Sequence, residues 1–277
     1  MTVEAKEQDA GLDINDLVKE IKELRALLRV QSHKTLLIHR ALATSGILGP
    51  AEFGSPTAEA AAEVRYRAGS SNVIIGFGSK GQGIFSSEPE MSGTLTKVGT
   101  DCLFYRDFQQ AWWSRGLMGL TADIPSTAEY LRRRVADLGY KRAVTTGVSM
   151  GGYAAILFGV LIGAERIIAF GPQTRIDRNV FTRFAGTDAK EVKYNFKSQY
   201  ADLARLFEET PFSGRVDIYY STRSGFDEKH AKYLEHVPQV SLHALDSDDH
   251  NSAAILKEQG LLTGLYRFDE PPPKGGC

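Results

Sequence analysis

Gly147-Val148-Ser149-Met150-Gly151 sets one serine between two glycines, and Gly152 adds a third. Arg142 to Thr146, just before, is β-branched and half apolar, as a buried strand is, while Tyr153 to Leu161 continues apolar, as a helix. A G-x-S-x-G between strand and helix is the pattern of a nucleophile elbow, a sharp turn that thrusts the serine hydroxyl out of the sheet. Side chains at 147 and 151 would collide inside such a turn, so glycine stands there. The helix that begins at the turn aims backbone N–H groups at the serine, where an oxyanion would form. The same residues also suit a glycine-rich turn that binds phosphate or only packs.

From about residue 70 to 265 the chain resembles the α/β-hydrolase superfamily. More narrowly it is similar to small bacterial members with a Gly-x-Ser-Met-Gly-Gly-Tyr elbow, some of which accompany polysaccharide-related genes. A serine hydroxyl needs a base to remove its proton, and the base needs an orienting acid. The resemblance implies that these follow in the order Ser, Asp or Glu, His, each on a loop at the carboxyl end of a strand. Asp227 meets that requirement, because Ser221 to Asp227 is a loop between the strand Val216 to Tyr220 and a helix around Glu228 to Leu234. It equally suits a helix N-cap. Asp177, after the preceding strand, is the substitute. His250 directly follows the last strand, Val240 to Leu245 and its short loop, and precedes a helix, where the general base belongs. His230 and His236 fall in or near the helix after Asp227, and His243 sits inside the last strand as a structural residue.

An oxyanion needs two N–H donors. Met150 follows the nucleophile and supplies one. The other is expected from the turn after the strand Asn72 to Phe77, Gly78-Ser79-Lys80-Gly81-Gln82-Gly83. By resemblance to the superfamily's His-Gly-x turn, Phe77-Gly78-Ser79 takes that place and points to the Ser79 N–H, with phenylalanine where histidine is frequent. The phosphate-loop pattern G-x-x-x-x-G-K-[ST] is absent from this turn. Tyr105, Trp112 and Trp113 follow a strand on the same side of such a sheet. They would stack on a sugar ring or bound an acyl pocket, or else form a packed loop that shields the core.

The elements that must position these residues alternate strand and helix, which implies a mostly parallel sheet with helices on both faces, an α/β-hydrolase fold. Val64 to Arg67, Asn72 to Phe77, Cys102 to Tyr105, the elbow strand, Arg166 to Phe170, Val216 to Tyr220 and Val240 to Leu245 read as strands. Ile124 to Leu138 reads as a helix with Ser126 near its start, and Ser252 to Gly260 as the last helix. Residues 173–212 lack a clear period and read as a small cap insertion. Before the catalytic domain of residues 64–268 come a linker, 46–63, and an N-terminal segment, 1–45. Asp13 to about Ala43 reads as one long helix there. Ile14, Leu17, Ile21, Leu24 and Leu28 alternate three and four apart, the seam spacing of a coiled coil, so a homodimer through residues 13–43 is one expectation. An amphipathic helix lying on the catalytic domain is the other. Residues 269–277 are Pro/Gly-rich and disordered by composition.

Composition limits the function classes. The 277 residues carry 24% charged and 42% hydrophobic residues, ordinary for a globular protein, and a net charge of −1 argues against a nucleic-acid binder. No run is long and apolar enough to span a membrane. The charged N-terminus carries no signal-peptide pattern, and Cys102 and Cys277 give neither a disulfide framework nor metal-ligand spacing, so a cytoplasmic compartment is expected. The resulting expectation is a serine hydrolase that cleaves a carboxylic ester, of a small molecule or a saccharide, with no metal or organic cofactor. An acyltransferase or a thioesterase would use the same residues. A non-catalytic coiled-coil scaffold carrying a hydrolase fold is the reading from a different class.

Overall fold

Apolar β-branched runs buried on both faces make the frame. A computed structural model describes residues 49–55, 57–58, 61–81, 88–185 and 194–268, with Val18, Glu20, Ile21, Glu23 and Leu24. Its strands are β1 (Ala51–Glu52), β2 (Glu63–Tyr66), β3 (Asn72–Phe77), β4 (Asp101–Tyr105), β5 (Arg142–Val148), β6 (Arg166–Phe170), β7 (Arg215–Ser221) and β8 (Val240–Leu245). They form one sheet in the order β1-β2-β4-β3-β5-β6-β7-β8. β2 runs antiparallel to β4, and every other neighbouring pair is parallel. β3 and β6 flank β5 in register, with Phe77 opposite Gly147 and Phe170 opposite Val148. The loops that leave the carboxyl ends of these strands therefore gather around the end of β5, the usual place for ligands on such a sheet.

The helices are α1 (Ser92–Leu95), α2 (Ile124–Asp137), α3 (Met150–Ile162), α4 (Arg178–Ala185), α5 (Leu203–Glu209), α6 (Gly225–Lys232) and α7 (Ser252–Glu258). From Met150 to Val160 every residue of α3 is buried, which suits a helix apolar all round and enclosed between the sheet and other elements. α2 starts at a capping box: the Ser126 N–H donates to Asp123 Oδ1 at 2.8 Å, and the Asp123 N–H donates to Ser126 Oγ at 3.1 Å. Separate apolar clusters cover the two faces of the sheet, one around Phe77, Trp113 and Phe158, the other around Phe104, Phe170 and Leu256.

Two buried carboxylates, Glu63 and Asp217, are paired. Glu63 accepts from the hydroxyls of Tyr105 and Tyr130 and pairs with Arg134. Asp217 pairs with Arg166 at 2.6 Å and with His243 Nε2 at 3.0 Å, which gives His243 a structural partner.

Two expectations change in detail. Part of the segment read as a linker supplies strand: Ala51 and Glu52 lie opposite Val64 and Arg65, and β2 begins at Glu63. A two-residue edge strand leaves no periodicity in the sequence. Within 173–212 the described chain folds as α4, a turn at Gln199–Ala201, and α5. Of the expected N-terminal seam only Ile21 and Leu24 are described, both helical and exposed. Apart from these and Val18, Glu20 and Glu23, the expected helix lies outside the described residues, as do residues 269–277. Among the described residues no helix is long and apolar enough to cross a membrane.

Candidate active site

Ser149 joins β5 to α3 with φ 57° and ψ −116°, a backbone conformation that non-glycine residues rarely adopt. Its N–H donates to the Phe170 carbonyl at 2.8 Å, which ties the turn to β6. The glycines on either side are needed for room. A Cβ on Gly147 would run into the backbone of Gly151, and one on Gly151 into the carbonyl oxygen of Phe77. The ends of β3 and β5 and the first turn of α3 are thus in contact, as the elbow pattern requires.

The serine hydroxyl is held from above. Gln173 Nε2 donates to Ser149 Oγ at 2.8 Å, and Gln173 Oε1 accepts from Trp112 Nε1 at 2.8 Å. An indole N–H only donates, so it fixes which end of the amide faces the serine. Gln173 is 1% exposed and Ser149 8%. This strap links the loop after β6 to the loop after β4 and ends on the nucleophile candidate. Sequence reading missed Gln173. Its one signal is its position, immediately after Gly171-Pro172 at the carboxyl end of β6.

Asp227 and His250 meet. His250 Nδ1 lies 2.6 Å from Asp227 Oδ1, with the carboxylate fully buried and the imidazole half-exposed. A proton on Nδ1, facing the carboxylate, leaves Nε2 as the acceptor nitrogen of the ring. Asp227 is not the cap of its helix. Ser224 is, its Oγ accepting from the Asp227 N–H at 3.3 Å, so Asp227 is the third residue of α6. The His250 loop is anchored from both sides: the Ser221 hydroxyl donates to the Asp249 carbonyl, and the Ser252 hydroxyl donates to the Tyr219 carbonyl at 3.1 Å. The imidazole stands against Gly171, where an added Cβ would lie 3.2 Å from its Cε1. Gly171 directly follows Phe170, whose carbonyl holds the serine N–H, so imidazole and elbow are neighbours across the end of β6.

The remaining acids and histidines have other work. Asp177 caps α4 by accepting from the Val180 N–H at 2.9 Å. His230 is buried, with Nδ1 3.2 Å from the Thr174 N–H that donates to it. Burial pushes its imidazole down to about 4, and Lys229 pushes the same way. His236 is exposed.

Met150 is the first residue of α3, so its N–H has no partner within the helix and lies beside Ser149. The Ser79 N–H, the other expected donor, is engaged: it donates to Glu90 Oε2 at 2.7 Å, and the Ser79 hydroxyl donates to Glu90 Oε1 at 2.9 Å. Burial raises the Glu90 carboxyl above the ordinary range, although both bonds from Ser79 pull it back. Two further N–H groups of the turn are engaged, that of Gly78 by the Tyr105 carbonyl and that of Gly81 by Gln110 Oε1.

Tyr105, Trp112 and Trp113 are all buried. The Tyr105 hydroxyl bonds Glu63, and Trp113 packs edge-on against Phe77 at 5.2 Å. This is the packed-loop arrangement, and neither ring presents a face to a ligand. The expectation of a stacking surface is corrected for these two. Asp107 builds the loop by accepting from the N–H groups of Gln109, Ala111 and Trp113, which stabilises the positive φ of Trp112 and Trp113. Trp112 serves the site through Gln173. Among the described residues no three His, Cys, Asp or Glu side chains gather as a metal site would require.

No protein-family model matches the chain. No curated protein matches it by sequence. Among solved structures it is similar to MGS-MChE2, an alpha/beta hydrolase enzyme from the metagenome of sediments from the lagoon of Mar Chica, Morocco. Identity is 16%, the match covers 74% of this chain and 93% of that one, and the TM-score is 0.51. A lipase-esterase related protein from Clostridium acetobutylicum matches at 13% identity over 73% of this chain and 97% of the other, with a TM-score of 0.48. The first of these likenesses shows the fold: the chain has the α/β-hydrolase fold.

Proposed function

We propose that this α/β-hydrolase-fold protein is a serine hydrolase that cleaves a carboxylic ester through an acyl-enzyme intermediate. The observation that carries the reading is the 2.6 Å pair of buried Asp227 and His250, set across the end of β6 from the strained Ser149 elbow. Asp227 holds the imidazole through Nδ1, which keeps Nε2 as the acceptor nitrogen of the ring. His250 takes the Ser149 proton as Oγ attacks the carbonyl carbon, then returns it to the leaving alcohol. Water, activated by the same imidazole, releases the acyl group from Oγ.

The Met150 N–H is the first oxyanion donor. The Ser79 N–H becomes the second once the Glu90 carboxyl moves off it, because one N–H does not serve a carboxylate and an oxyanion together at full strength. Gln173 positions the hydroxyl. By donating to Oγ it leaves the serine hydrogen to point elsewhere, toward the base. Acyl transfer to an alcohol and thioester cleavage would pass through the same acyl-enzyme, and product analysis with and without saccharide acceptors separates them.

The test is a fluorophosphonate, which reacts only with an activated serine. The expected adduct lies on Ser149, is absent in Ser149→Ala and forms far more slowly in His250→Ala. Equal labelling of the His250→Ala protein, or an adduct on another residue, overturns the proposal.

A further inference from the structure

Between α4 and α6 lies a cavity of about 210 Å3 lined by Arg175, Arg183, Lys229, Asp177, His230 and Tyr233, among others. Its size suits a compact polar group. Its charge is one-sided. Three cations line it against one carboxylate, and Asp177 is turned to capping α4. The cations are also oriented: Arg183 lies over the Phe226 ring at 4.6 Å, and Arg175 over the Tyr233 ring at 5.8 Å. Arg175 has a carboxylate, Asp202, at 3.7 Å, but Asp202 also accepts from the Tyr233 hydroxyl at 2.7 Å and caps α5. Guanidinium groups held over aromatic rings at a concavity suit an oxyanion, which arginine binds as a fork.

The cavity adjoins the site. Phe226 and His230 flank Asp227 on α6, and the Phe226 ring lies 6.4 Å from that of His250. Thr174, which donates to His230, follows the residue that bonds Ser149 Oγ. A substrate part that leaves the nucleophile in the direction of α6 meets this wall of positive charge.

We infer that the cavity is a subsite for an anionic group, a carboxylate or a phosphate-like oxyanion, carried by the substrate a short distance from its ester. The inference rests on the serine-hydrolase reading and narrows it to acidic esters. Arg175, Arg183 and Lys229 are exposed residues, so replacing them costs the fold little.

Two arms test it. In the first, inorganic phosphate is titrated into the full-length Ser149→Ala protein by calorimetry. Binding is expected, weakened about tenfold or more by Arg175→Gln with Arg183→Gln, weakened also by Lys229→Gln, and unaffected by Arg132→Gln on the outer face of α2. In the second, neutral and anionic aryl esters are compared as matched pairs. A monoaryl glutarate is set against the aryl valerate, and a carboxyphenyl acetate against its methyl ester. At least one anionic member should show the lower KM, and the double arginine variant should remove that preference, about tenfold in the ratio. Phosphate binding that ignores the arginines, or identical losses on charged and neutral esters, overturns the subsite. If no ester or fluorophosphonate reacts at Ser149, the hydrolase reading fails, and the phosphate arm still judges the cavity.

Discussion

Gln173→Glu separates the two things Gln173 does. The introduced carboxylate is nearly isosteric and still accepts the Trp112 indole N–H, so the 2.8 Å bond that anchors the strap survives. At the other end an N–H donor 2.8 Å from Ser149 Oγ becomes an anionic acceptor. It draws the serine hydrogen away from His250 and places a unit charge about 4 Å from the oxygens that gain charge in the transition state. At an effective dielectric of 20 that repulsion is about 4 kcal/mol, roughly a thousandfold in kcat. Gln173→Leu reverses the balance. It keeps the site neutral but strands a fully buried indole N–H, which costs about 1–3 kcal/mol of stability. At about 2–4 °C per kcal/mol for a domain of this size, the leucine variant melts a few degrees below wild type yet turns over faster than the glutamate variant. The assay is kcat on a 4-nitrophenyl ester from pH 5 to 8, with thermal melts alongside. The loss in the glutamate variant should deepen as pH rises and its carboxyl ionises. A glutamate variant with wild-type kcat at pH 8, or one slower at pH 5 than at pH 8 relative to wild type, would refute the positioning role.

Further outcomes follow from the same geometry. Asp227→Asn should leave the fold intact and lower kcat by about 10⁴, because the amide favours the wrong imidazole tautomer; steady-state kinetics with a circular dichroism control reads this. Glu90→Gln removes a carboxylate from the Ser79 N–H and should raise kcat, roughly three- to tenfold at neutral pH; an unchanged rate would mean that Ser79 is not a donor to the oxyanion. The His230 imidazole is held down to about 4 against about 6.5 when unfolded, so its contribution to stability is full above pH 6.5 and is lost as pH falls toward 4. About 3 kcal/mol should disappear over that window in urea melts, and His230→Gln should flatten the fall. Finally, if residues 13–43 pair two copies, the full chain should sediment as a dimer and a chain beginning near residue 50 as a monomer.

What could be read before the structure was whatever rests on local pattern. β3 and β6 fall where β-branching puts them, because strands buried on both faces write their burial into consecutive residues, and the partly exposed β8 falls where apolar and polar residues alternate. The elbow was legible for a steric reason, since the chain approaches itself so closely at Gly147 and Gly151 that no other residue fits. Gln173 and Glu90 were not legible. Each acts through a partner distant in the chain or across an irregular loop, Trp112 in one case and Ser79 in the other, and neither leaves a periodic or spaced signature. The cap was obscure for a related reason: α4 and α5 have eight and seven residues, too short for a 3.6-residue period to stand out. The tryptophans left both readings open because the buried carboxylate that organises their loop from inside, Asp107, leaves no spaced signature.

The central claim is that Ser149 carries the acyl group and that His250 moves the protons that let it form and leave. Rapid acid quench of the protein mixed with 4-nitrophenyl acetate, followed by peptide mass spectrometry, measures this directly. The account predicts one acetyl group on the peptide containing Ser149, formed within the pre-steady-state burst and almost absent in His250→Ala. Turnover with no acetyl on Ser149, or acetylation that proceeds equally without the imidazole, would contradict it.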